Sequence, residues 1–112
     1  MRCHGFQDNA KRKKHYKKHV LGKGGGTGWV ADMSGWYPSA ESYERAAITF
    51  ATAEGTFHAY DFPIVELQTA KGNVARWNQN TGMFAAATTS GQLITFHMRL
   101  NAELFQRAIV EF

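Results

Sequence analysis

The stretch Leu93-Ile94-Thr95-Phe96-His97-Met98-Arg99-Leu100 alternates apolar and polar side chains, and a period of two is the signature of a strand. Ile94, Phe96, Met98 and Leu100 fall on one side, and Thr95, His97 and Arg99 on the other. One face is built for burial; the other carries hydrogen-bonding groups. Upstream, the same period marks Met83 to Thr89, Val74 to Asn78, Ile64 to Gln68 and Thr56 to Tyr60. Between these runs stand Ser90-Gly91, Asn80-Thr81-Gly82, Lys71-Gly72-Asn73 and Asp61-Phe62-Pro63, all residues that favour tight turns. The pattern predicts an antiparallel meander of four to five strands. In the run 74–78, Arg76 and Asn78 have the parity opposite to Ala75 and Trp77. With the apolar faces turned toward helices, Arg76, Thr95, His97 and Arg99 are expected together on the opposite, open face.

Helices are expected on both flanks of the meander. Ser39 is placed to cap a helix whose first turn holds Glu41, and Tyr43, Ala46, Ala47 and Phe50 recur at helical spacing up to Ala53, before Gly55. After the last strand, Asn101 can cap a helix carrying Leu104, Phe105, Ala108, Ile109 and Phe112 on one stripe. The fold class is therefore α+β: N-terminal helices, then the meander, then a short C-terminal helix. A chain of 112 residues has enough apolar surface for one core. Residues 1–28, a basic segment ending in a glycine-rich loop, are read as part of the same domain as the α+β core, 29–112. That loop, Gly22-Lys23-Gly24-Gly25-Gly26-Thr27-Gly28, is not a phosphate-binding P-loop, because Trp29-Val30 follows where Gly-Lys-Ser/Thr should open a helix.

Composition narrows the function classes. Apolar residues make up 44% and aromatics 13%, a globular rather than a disordered balance. No run approaches the roughly 20 apolar residues of a membrane span, and the lysine-bearing N-terminus lacks the apolar core of a signal peptide. Cys3 is the only cysteine, so packing must do the work of internal disulfides. The net charge of +4 hides an asymmetry: residues 1–23 hold eight Lys/Arg against one Asp, and the remainder holds five against eight acidic residues. The run Lys11-Arg12-Lys13-Lys14-His15-Tyr16-Lys17-Lys18-His19 could neutralise several phosphates, which points to nucleic acid; a solvated basic helix has the same composition. His15 and His19 stand one helical turn apart and can share a face. Their spacing also suits a metal pair, but the surrounding lysines and arginines oppose a dication, so no metal is assigned. His58 is read as structural, and Trp29, Trp36 and Tyr37 as core residues rather than stacking platforms.

Four short motifs occur in order along residues 14–100. They are His15-Tyr16-Lys17-Lys18-His19, Ser39-Ala40-Glu41-Ser42-Tyr43, Val74-Ala75-Arg76-Trp77-Asn78 running to Thr81-Gly82, and Gly91-Gln92-Leu93-Ile94-Thr95-Phe96. Together they resemble the helices and C-terminal hairpins of barnase/EndoU/colicin/RelE-type ribonuclease toxins. The chain departs from that pattern at Ala85, where a glycine is common, and at His97-Met98-Arg99, where a Lys-Pro pair is common.

The resemblance implies an endoribonuclease toxin that cleaves RNA without a metal, tRNA being the expected substrate; the alternative readings are a non-catalytic nucleic-acid-binding domain that uses the basic N-terminal segment, and a small phage or interaction module. It also implies secretion as part of a larger protein, as in contact-dependent growth inhibition and bacteriocin systems, and action in the target-cell cytoplasm. Partners implied are an acidic immunity protein and a host factor. No cofactor is expected. Such cleavage needs one group to take the 2′-OH proton and another to protonate the leaving oxygen, and imidazole suits both. The residues assigned to catalysis are His15, His19, Arg76, Thr95 and His97. Those assigned to RNA binding are Lys11, Arg12, Lys13, Lys14, Lys17, Lys18 and Arg99.

Overall fold

The computed structural model describes residues 1–22, 33–53 and 64–112; the expected strand at Thr56 to Tyr60, with His58, as well as Trp29 and most of the glycine-rich segment, lie outside them. A two-residue strand β1 (Gly5–Phe6) precedes helix α1 (Asn9–His19), and helix α2 (Ala40–Thr52) follows. Four strands come next, β2 (Ile64–Gln68), β3 (Val74–Asn78), β4 (Met83–Ala87) and β5 (Gln92–Met98), and helix α3 (Ala102–Glu111) completes the described chain. All three helices are capped as helix physics prefers. The Asp8, Ser39 and Asn101 side chains accept from the backbone N–H groups of Lys11, Ser42 and Leu104, which have no partner inside the helix.

The sheet order is β1-β5-β4-β3-β2. Strands β2 to β5 form the antiparallel meander, so the fold is α+β as the periodicity predicts. The addition is β1, which pairs parallel to β5 and makes the sheet mixed. Two residues carry no readable period. Gly5 occupies this edge at φ 109, and a Cβ there would meet Glu44 Oε2 at 2.7 Å, so β1 can pass close to α2 only as glycine.

Both faces of the sheet are covered, which corrects the expected open face. Against one face, Tyr43, Ala47 and Ala51 of α2 pack with Ala85, Leu93 and Phe96. Against the other, Phe105 and Ala108 of α3 pack with Ala75, Trp77, Phe84 and Ala86. The register decides which polar residues go where. Arg76 pairs with Ala85, and Ala85 with Phe96, whereas Thr95 pairs with Ala86 and His97 with Phe84. Arg76 therefore faces α2, and Thr95 and His97 face α3. A register shift between Ala86 and Ala87 inserts Ile94 as an extra residue, so Ile94 joins the second core while Phe96 and Met98 belong to the first. Leu100 is exposed instead of buried, as is Trp36 at 50%. No helix among the described residues is long and apolar enough to cross a membrane.

Candidate active site

Helix α1 is polar over most of its surface, with Lys11, Lys13, Lys14 and Lys17 exposed and only His19 fully buried. Its inward stripe is aromatic. Phe6 stacks on His15 with ring centroids 4.9 Å apart, His15 on His19 at 5.7 Å, and His19 on His97 of β5 at 4.8 Å. Residues 15 and 19 share a helix face because they are one turn apart, and this face meets β5 next to Thr95. There α1 and the sheet enclose a cleft of about 270 Å³. His15, Lys18 and His19 line it from the helix, Thr95, His97, Met98 and Arg99 from β5 and the residue beyond it, and Glu111 and Phe112 from the end of α3.

The sheet side of the cleft is tightly bonded. Thr95 Oγ1 lies 2.7 Å from His97 Nδ1, and both residues are almost wholly buried, at 1% and 5% exposure. Arg99 Nε donates to His97 Nε2 at 2.7 Å, and Arg99 Nη2 pairs with Glu111 at 3.1 Å. Phe84 and Phe112 close around the His97 ring at 5.1 and 5.6 Å. Burial pushes His97 well below the usual imidazole range, and the neighbouring His19 and Arg99 charges push it the same way. His15 is lowered to about 4, first by burial and then by His19 and the lysines of its own helix. At neutral pH His15 is therefore uncharged, and its Nδ1 is buried with no hydrogen-bond partner among the described residues.

Two residues expected here stand elsewhere. Arg76 is 2% exposed on the α2 side, where Nε and Nη2 bond Glu66 at 2.9 and 2.7 Å and Nη1 donates to the Phe50 and Ala53 carbonyls. These carbonyls belong to the last turn and C-cap of α2, whose oxygens lack helical partners, so Arg76 caps α2 and does not face the histidines. The Met1 ammonium joins it, donating to Glu66 and to the Ala51 carbonyl, both at 3.1 Å. Burial raises the Glu66 carboxyl, but the bonds from Met1 and Arg76 outweigh that and hold it below its usual range. Arg12 is likewise turned inward, pairing with Glu41 at 3.2 Å and Glu44 at 3.3 Å on α2, so it does not stand with the exposed lysines.

Sequence reasoning missed Phe6, Glu111 and Phe112. The periodicity of α3 puts Phe112 on a covering stripe, and nothing in that pattern shows that the last turn of the helix reaches the cleft. Among the described residues no three His, Cys, Asp or Glu side chains are grouped to hold a metal ion. No family model matches the chain, nor does any curated protein or solved structure.

Proposed function

We propose that the protein is an endoribonuclease that cleaves RNA by acid–base transphosphorylation without a metal, with tRNA as its expected substrate. The observation that carries this reading is the cleft in which His15, Lys18 and His19 of α1 meet Thr95 of β5. A phosphodiester seated there has imidazoles for proton transfer, an ammonium for its charge and a hydroxyl to donate to the oxygen that gains charge in the transition state. His15, uncharged at neutral pH, is suited to take the 2′-OH proton, and His19 beside it is its acid partner. The exposed Lys13, Lys14 and Lys17 extend the positive surface away from the cleft and would track the backbone of the bound strand.

The resemblance to secreted ribonuclease toxins adds the biological frame: release as part of a larger protein, action in a target-cell cytoplasm and neutralisation by an acidic immunity protein, whose charge would complement α1. A second reading, RNA binding without cleavage, draws on the exposed lysines alone. Turnover separates the two. Total RNA incubated with substoichiometric protein in excess EDTA should shorten to new ends, and His15→Ala and His19→Ala chains should leave it intact. Intact RNA with the native chain, or cleavage that appears only when a divalent ion is restored, would sink the proposal.

A further inference from the structure

The hydrogen bonds around His97 fix where its proton sits. Arg99 Nε carries one hydrogen and has no lone pair to offer, so His97 Nε2, 2.7 Å away, must accept. A neutral imidazole has one N–H, and it is therefore on Nδ1. That N–H points at Thr95 Oγ1, 2.7 Å away, so the threonine oxygen accepts. The hydroxyl keeps its own proton, which has no other partner among the described residues, and Thr95 lines the cleft. Arg99 is itself held from behind: Nη2 bonds Glu111 at 3.1 Å, and Nη1 reaches toward the Leu104 carbonyl at 3.4 Å. Stacking on His19 at 4.8 Å and 13° keeps the His97 ring from rotating out of this plane of contacts.

We propose that Glu111, Arg99, His97 and Thr95 form a positioning relay in which His97 orients the Thr95 hydroxyl to donate into the cleft, toward a phosphate oxygen, and takes no part in proton transfer itself. The proposal rests on reading the cleft as an RNA-cleaving site. It separates three histidines that look equivalent in the sequence into an acid–base pair on α1 and a positioning residue on β5. Proton transfer by His97 is disfavoured by geometry: a second proton would go on Nε2, against the N–H of a guanidinium, with cation facing cation. It also gives Arg99 a task other than holding RNA, since its nitrogens are already directed at His97, Leu104 and Glu111.

Two measurements test the relay in the full chain. Side-chain nitrogen NMR between pH 6 and 8, without RNA, should show His97 protonated on Nδ1 and bare on Nε2; the opposite tautomer or a cationic ring would overturn it. Cleavage assays then compare His97→Asn, which keeps an amide N–H where Nδ1 stands, with His97→Phe, which keeps the ring and loses the donor. The first should stay within about tenfold of the native rate with both limbs of the pH profile in place. The second should lose on the order of 10²-fold, as for a missing preorganised donor. Combining it with Thr95→Ala should cost no more than Thr95→Ala alone. Near-UV circular dichroism checks that each variant is folded. If His97→Asn loses a pH limb, His97 is an acid or base and the relay is wrong; if His97→Phe cleaves normally, nothing is being positioned. A native chain that cleaves no RNA would remove the ribonuclease reading, and the relay would then stand or fall on the tautomer.

Discussion

Arg76 and His97 occupy neighbouring regions of one sheet, each a buried basic side chain on a central strand, yet they belong to different kinds of structure. Every nitrogen of Arg76 meets a carboxylate or a helix-terminal carbonyl, on a face filled by α2. The His97 side opens into a cleft, where the threonine proton and a buried imidazole nitrogen of His15 have no partner among the described residues. Saturated polar groups hold a fold together, because burying them unpaired would cost several kcal/mol. Polar groups left incomplete beside a cavity have bonding capacity to offer a ligand. Under the proposed function, the difference assigns Arg76 to the scaffold and Thr95 to the chemistry, although the sequence pattern groups both with catalysis.

The sharpest way to break this comparison is Arg76→Met. It strips Glu66 and two α2 carbonyls of their main donor, so denaturant unfolding should show a loss of about 3–5 kcal/mol. A fully stable Arg76→Met chain that no longer cleaves RNA would return Arg76 to the active site. Thr95→Ala should do the reverse. Its unfolding free energy should fall by only about 1–2 kcal/mol, for the buried His97 Nδ1–H left without its acceptor, while kcat on RNA falls about 10²–10³-fold, equivalent to roughly 3–4 kcal/mol in the barrier.

The next effect is smaller and depends on pH. Folding lowers His15 from 6.5 to about 4, so the unfolded chain takes up its proton first as the solution is acidified. Stability is therefore full above pH 6.5 and is lost as pH falls toward 4, by about 2 kcal/mol once the ring's partial exposure is allowed for. His97, also lowered by burial, adds in the same direction. Unfolding midpoints measured between pH 7.5 and 4 should fall less steeply in His15→Phe, which keeps the ring against Phe6; an equal fall in both chains would contradict the assignment.

The smallest expected effect comes from the exposed lysines. Changing Lys13, Lys14 and Lys17 to Gln should weaken RNA binding and lower the salt slope by about 0.7 per lost phosphate contact on a single strand. Cleavage at saturating RNA should change by no more than about twofold. A large fall in kcat would place these lysines in the reaction and blur the line between holding the strand and cutting it.

The sequence by itself determined strands β2 to β5 and helices α2 and α3, because period-two runs broken by glycine turns and helical stripes behind Ser39 and Asn101 are local instructions. It also determined that His15 and His19 share a face, since one turn of helix separates them. It did not determine which sheet face each polar residue takes. Parity fixes only relative sides within one strand, and the bulge at Ile94 together with cover on both faces made the assumption of a single apolar side fail. Arg76 turned toward α2 because Glu66 is its cross-strand neighbour there and the end of α2 needed donors, and Arg12 turned toward Glu41 and Glu44 for a similar reason. Only the tertiary structure could decide these, because the partners lie 10 to 32 residues away along the chain and meet only once β2 has paired with β3 and the helices have docked. The cleft follows the same logic: His19 reaches His97, and the last turn of α3 brings Glu111 to Arg99, through packing that no single segment encodes.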